Sequence, residues 1–369
     1  MKIHLIYLAS LFFIFLPLMA THAQVSNSYW LLDEYNRVHP EQIESSNAFS
    51  AIIEENAVRS TEPINKPIEI LIVYPGDQIS DYWRRSVFSF EARMQELSLP
   101  YILESHFTMA GTELALQGEI IGEGIRNPPD YLIFTLDAKR HKGMIRRVMS
   151  GGQTKVILQN ITTPLKDFGV NQPFLYVGFD HGVGTKILAN RYKNLYPDGA
   201  KYAVFYGTRG YVSDIRGGVF IREMEAQDNM DMVASYYTDF NREKAYNATM
   251  DLLFDGVNVD FIYSSSTDIA HGIIDALKEK NLLGKIKVNG WGGGSSELEA
   301  LANKELDFTV MRMNDDNGVA MAEAIKMAQE NRQDEVPLVF SGDIKLIDQE
   351  TPQNILEELM NYAFRYSSN

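Results

Sequence analysis

The chain has 369 residues, 34 Lys and Arg against 49 Asp and Glu, 45% hydrophobic residues and 22% charged ones. These values describe a globular protein whose length favours two domains over one, and they exclude disordered and collagenous chains. The absence of Cys excludes disulfides, thiolate metal ligands and a cysteine nucleophile, and the net charge of −15 excludes a general nucleic-acid binder, which needs a basic footprint.

At the start of the chain, Lys2, the mostly apolar stretch Ile3 to Met19 and the small-x-small run Thr21-His22-Ala23 predict a secretory signal peptide over residues 1–23. No later segment reaches the roughly 18 uninterrupted apolar residues of a membrane helix, so no direct membrane insertion is expected after cleavage. Residues 24–67 contain Trp30, Leu31 and Leu32 and a helix signal near Ala48 to Val58, and read as an N-terminal extension packing on the body. From Ile68 onward apolar β-rich runs alternate with helix-period segments. The predicted strands are 68–74, 101–107, 131–137, 155–160, 174–180, 202–206, 232–237, 261–265, 286–290, 308–313 and 338–347. In the first connecting segment Trp83, Val87, Phe90, Met94 and Leu97 recur at spacings of four and three, which makes one apolar stripe on a helix. Apolar strands joined by helices predict an α/β fold of two doubly wound parallel-sheet lobes.

Ligands of open parallel sheets sit beyond the carboxyl ends of the strands. That rule gathers Gln78, Ser80 and Trp83 after the first strand, Asn160 after the fourth, Thr267 and Asp268 after 261–265, Arg216 on the helix after 202–206, and Trp291 after 286–290. Arg312 interrupts the apolar run Phe308 to Met313, where an unpaired buried cation costs several kcal/mol unless something anionic meets it. Each residue also has a plainer use: Trp83 as core, Ser80, Thr267 or Asp268 as helix caps, and either arginine in a structural ion pair.

The alternation, together with Val73-Tyr74-Pro75-Gly76, Ser80 to Trp83, Tyr131 to Asp137, Ile157 to Pro164, Phe174 to His181, Asn289 to Ser295, Val310 to Asp316 and Ala363 to Ser367, resembles the periplasmic sugar-binding proteins of the ribose-binding class. Within that class it is most similar to LuxP-type receptors for the quorum-sensing signal autoinducer-2. The resemblance spans nearly all of the chain after the signal peptide. It implies a type I periplasmic binding protein, two lobes joined by a three-segment hinge, with residues 68–177 plus 314–340 in the N-terminal lobe and 178–313 plus 341–369 in the C-terminal lobe. It implies a non-enzymatic periplasmic receptor that closes on a furanosyl borate diester, boron entering only as part of the ligand. By motif the ligand residues are Gln78, Ser80, Trp83, Asn160, Arg216, Thr267, Asp268, Trp291 and Arg312, with no metal and no other cofactor. The implied partner is the periplasmic domain of a LuxQ-like sensor kinase; the alternative is delivery of a pentose or related furanose to an ABC transporter.

Members of the ribose class usually carry an Asp in the loop matched by Trp291-Gly292 and a Gln where this chain has Arg312. Two guanidiniums facing one small cavity repel unless an anion lies between them, so the residues themselves favour an anionic diol over a neutral pentose. No Ser/His/Asp or paired-carboxylate arrangement suggests an enzyme, and the seven His form no metal-binding pair. Gly182 to Lys186 lacks phosphate-loop spacing, and the basic run Lys139 to Lys142 with Arg146-Arg147 reads as a solvated helix face.

Overall fold

The computed structural model describes residues 28–136 and 139–368. The expected signal peptide lies outside the described residues.

Strands β1 (Ile68–Tyr74), β2 (Tyr101–Phe107), β3 (Tyr131–Thr135), β4 (Lys155–Gln159) and β5 (Leu175–Gly178) enter one parallel sheet. Helices α3 (Tyr82–Glu96), α4 (Leu114–Arg126) and α5 (Lys139–Ser150) connect its first four strands. After β5 the chain crosses to a second sheet through α6 (His181–Leu195). That sheet holds β6 (Ala200–Tyr206), β7 (Met230–Tyr237), β8 (Phe261–Ser264) and β9 (Lys287–Val288), linked by α7 (Tyr211–Glu225), α8 (Arg242–Phe254) and α9 (Thr267–Glu279). Helix α10 (Ser295–Ala302) leads to β10 (Phe308–Arg312), which joins β9's neighbourhood through single bridges, Asn289 to Phe308 and Gly292 to Met311. The chain then returns through α11 (Asp316–Gln329) to β11 (Val339–Ser341) on the first sheet and crosses a third time to β12 (Ile344–Asp348). Among the described residues no helix is long and apolar enough to cross a membrane.

The apolar stripe on α3 does what its spacing predicts: Trp83, Val87, Phe90, Met94 and Leu97 are all buried, facing β1 and α11. Helix α11 is buried along most of its length, and Gly318 permits the approach, since a Cβ there would lie 2.1 Å from Ser89 Oγ and 2.3 Å from the Phe90 nitrogen. A buried ion pair, Arg93 Nη2 to Glu323 at 2.6 Å, ties the two helices, and the same guanidinium donates to the carbonyls of Ile52 and Glu55 in the N-terminal extension.

Four sequence expectations change. The extension forms α1 (Leu32–Val38) and α2 (Glu41–Glu54), so its main helix starts earlier than predicted and stops where Glu55 turns extended. The single strand expected over 338–347 is two: its apolar run crosses from one lobe to the other, and residues 342–343 break it, so β11 pairs parallel with β5 and β12 antiparallel with β10. That antiparallel pair, a two-stranded sheet of its own beside the second sheet, departs from the all-parallel expectation because β12 reaches β10 directly from the hinge, without a crossover helix. The end of the chain, assigned by sequence to the C-terminal lobe, bonds instead to the first: Arg85 Nη1 donates to the Ser367 carbonyl, Arg93 to Tyr366 Oη at 3.1 Å, and Arg365 to the Ile53 carbonyl at 3.3 Å.

Candidate binding site between the lobes

The carboxyl ends of β1, β4, β8 and β10 face one another across the cleft, and eight of the nine expected residues line one cavity there: Gln78, Ser80, Trp83, Asn160, Arg216, Thr267, Trp291 and Arg312. Its volume is about 50 Å³.

Each side chain is set by its local backbone. The loop after β1 is braced by Arg84, which donates to the carbonyls of Gly76 at 3.2 Å and Gln78 at 3.1 Å, while the Gln78 amide turns back on the Pro75 carbonyl. Trp83 serves as core and wall together: it packs 4.6 Å from the Tyr74 ring and borders the cavity. Asn160 ends β4 at φ 67, a left-handed conformation Asn tolerates better than most residues and one that accumulates at ligand sites. Its Oδ1 lies 3.2 Å from His181 Nε2. The loop carrying Trp291 is held from beneath by the fully buried Glu297 carboxylate, which accepts from the backbone of Trp291 at 2.9 Å and Gly293 at 2.7 Å and from the Thr309 hydroxyl at 2.6 Å. Gly293 sits at φ 67 with its absent Cβ 2.5 Å from Met311 Cα, so only glycine fits.

The electrostatics are dominated by two arginines. Arg216 donates to the Ser265 carbonyl at 2.8 Å and stacks over Trp291 with its guanidinium carbon 3.5 Å from the ring centroid. Arg312 lies 3.9 Å over the Tyr82 ring. Among the described residues neither makes an ion pair, no Asp or Glu lines the cavity, and the Nε of each is buried without a partner. Burial pushes the pKa of Arg216 down to about 9, with Arg312 as the second cause; Arg312 is lowered by burial as well. Arg216 remains a cation at neutral pH. His181, beside Arg216 at 3.5 Å, is held well below its ordinary pKa by burial and then by both arginines, so it stays neutral.

The ninth expected residue, Asp268, does not border this cavity. Its carboxylate, buried at the second residue of α9, accepts from the backbone N–H groups of Ile79 at 2.9 Å and Ser80 at 3.3 Å on the opposite lobe. The caps also differ from expectation. Ser266 caps α9, accepting from Ile269, and Asp81 rather than Ser80 precedes α3. Sequence reasoning missed Tyr82, Phe240 and His181. Tyr82 lay inside a motif already singled out, and Phe240 follows β7, so applying the strand-end rule to every strand would have found it.

A family model described as periplasmic binding protein domain matches residues 72–333, most of the chain. The chain belongs to that family, whose members bind solutes. Solved structures repeat the whole architecture. An ABC transporter solute-binding protein from Bacillus halodurans C-125 with bound myo-inositol is 18% identical, with a TM-score of 0.67, over 82% of this chain and 100% of that one. One from Actinobacillus succinogenes 130z with bound D-allose is 21% identical, with a TM-score of 0.66, over 78% and 100%. A third, from Agrobacterium vitis with bound D-fucose, is 15% identical, with a TM-score of 0.71, over 79% and 99%. Their shared fold is the type I periplasmic binding protein fold, two α/β lobes around a central cleft.

Proposed function

We propose that this protein is a periplasmic receptor that closes on a small cyclic polyol carrying negative charge, in the form of the furanosyl borate diester of autoinducer-2, and presents the closed shape to the periplasmic domain of a LuxQ-like sensor kinase. One observation carries the reading: two buried guanidiniums, Arg216 and Arg312, face a cavity that contains no carboxylate. A neutral ligand leaves that charge uncompensated, whereas paired anionic oxygens suit guanidinium forks and offset it. Gln78, Ser80, Asn160 and Thr267 supply hydroxyl-directed hydrogen bonds, and Trp83 and Trp291 wall the ring. Asp268 leaves the ligand set.

A second reading has its own support. The related solved proteins named above hold inositol, allose and fucose, which favours a neutral sugar delivered to an ABC transporter. Competition separates the two: purified protein is loaded with autoinducer-2 and borate, then challenged with excess ribose, allose or inositol. The receptor reading expects retention; displacement by a neutral sugar at comparable concentration overturns it.

A further inference from the structure

The loop that presents Gln78 and Ser80 is gripped by the other lobe at two points outside the cavity. On one side Asp268 of α9 accepts from the backbone N–H groups of Ile79 and Ser80. On the other, Asp81, which precedes α3, accepts from the backbone N–H of Ser295 at 3.1 Å and from its hydroxyl at 2.9 Å, Ser295 being the first residue of α10. Each lobe therefore lends a carboxylate to the other. Asp81 also caps a helix across the cleft, satisfying an N–H that α10 lacks the means to satisfy itself, since Gly294 has no side chain to offer. Arg85 fixes this carboxylate at 2.6 Å and reaches Ser295 Oγ at 2.7 Å.

We propose that Asp81 and Asp268 form a two-point clasp that holds the lobes closed independently of ligand, which makes them, with Gly294, positioning residues that set affinity through the closed population. A binding-competent state that is only fractionally populated lowers apparent affinity by that fraction, so groups favouring closure raise affinity without contacting the ligand. Gly294 is what lets the contact form. Its φ of −75 and ψ of 178 suit any residue, but a Cβ would lie 2.2 Å from Asp81 Oδ1. Alanine is thus compatible with the folded second lobe and crowds the clasp, because the Asp81 carboxylate must shift from its place between Arg85 and Ser295 to make room.

The lack of Cys allows a clean distance measurement. Spin labels at Thr112→Cys and Glu243→Cys, both exposed and facing each other across the mouth of the cleft, report the gap in full mature protein without ligand. The expected result is a short-distance population that falls about tenfold in Gly294→Ala and in Asp268→Ala, with thermal unfolding unchanged, and a Gly294→Ala/Asp81→Ala double variant no more open than Asp81→Ala alone. A short-distance population absent from the parent protein, or undiminished in these variants, overturns the clasp. Because no ligand is added, either result stands apart from the identity of the ligand.

Discussion

Replacing Arg216 by Met separates binding from stability. The drop of its pKa from the ordinary 12.5 to about 9 corresponds to roughly 5 kcal/mol disfavouring the cation in the folded protein. The bond to the Ser265 carbonyl and the stack on Trp291 do not restore the ordinary value, and Met removes the charge whose burial carries that cost. Thermal unfolding of ligand-free Arg216→Met should therefore give an unchanged or raised Tm, while calorimetry should show affinity for the anionic ligand reduced about 10- to 150-fold, the loss of one charged hydrogen bond of 1.5–3 kcal/mol. The reasoning fails if the variant melts many degrees lower, which would make the guanidinium a structural strut, or if it binds the anion within threefold of the parent.

The same cation sets a pH dependence. An anion bound beside Arg216 raises its pKa above the free value of about 9, so binding takes up a proton once pH exceeds 9; affinity for a ligand of fixed charge should be flat from pH 6 to 8 and fall above 9, as titration calorimetry across that range checks. Ser80→Ala removes a neutral hydrogen bond and should cost affinity about 1 kcal/mol, less than Arg216→Ala or Arg312→Ala in the same assay. Glu297→Gln puts an amide N–H against donors from Trp291, Gly293 and Thr309; about 3 kcal/mol of stability should be lost, with a shift in tryptophan emission. Gly293→Ala, strained at φ 67 and crowded by Met311, should lower both Tm and affinity.

How much of this was legible in the sequence follows from range. Strands β1, β3 and β4 are read directly because each is a short apolar run buried on both faces, and α3 because its stripe has helical spacing. The run over 338–347 misleads because hydrophobicity does not say which of two sheets a residue joins; the exchange at residues 342–343 is tertiary. The oddness of Arg312 is visible as a cation in an apolar strand, and the rim residues follow from the strand-end rule. Asp268 is invisible in its actual role, since its position beside Thr267 places it at the rim while its partners lie on the other lobe, far away in sequence. His181 gave no signal of its own, because its part is to fill space between Asn160, Arg216 and Trp291.

The most direct test of the account is calorimetric binding of the purified mature protein to autoinducer-2 with borate present and with borate rigorously excluded, with ribose as the control. Tight binding only when borate is present, lost in Arg216→Met and Arg312→Met, is the predicted result. Tight ribose binding with no response to autoinducer-2 in either condition would contradict the assignment of both arginines to an anionic ligand.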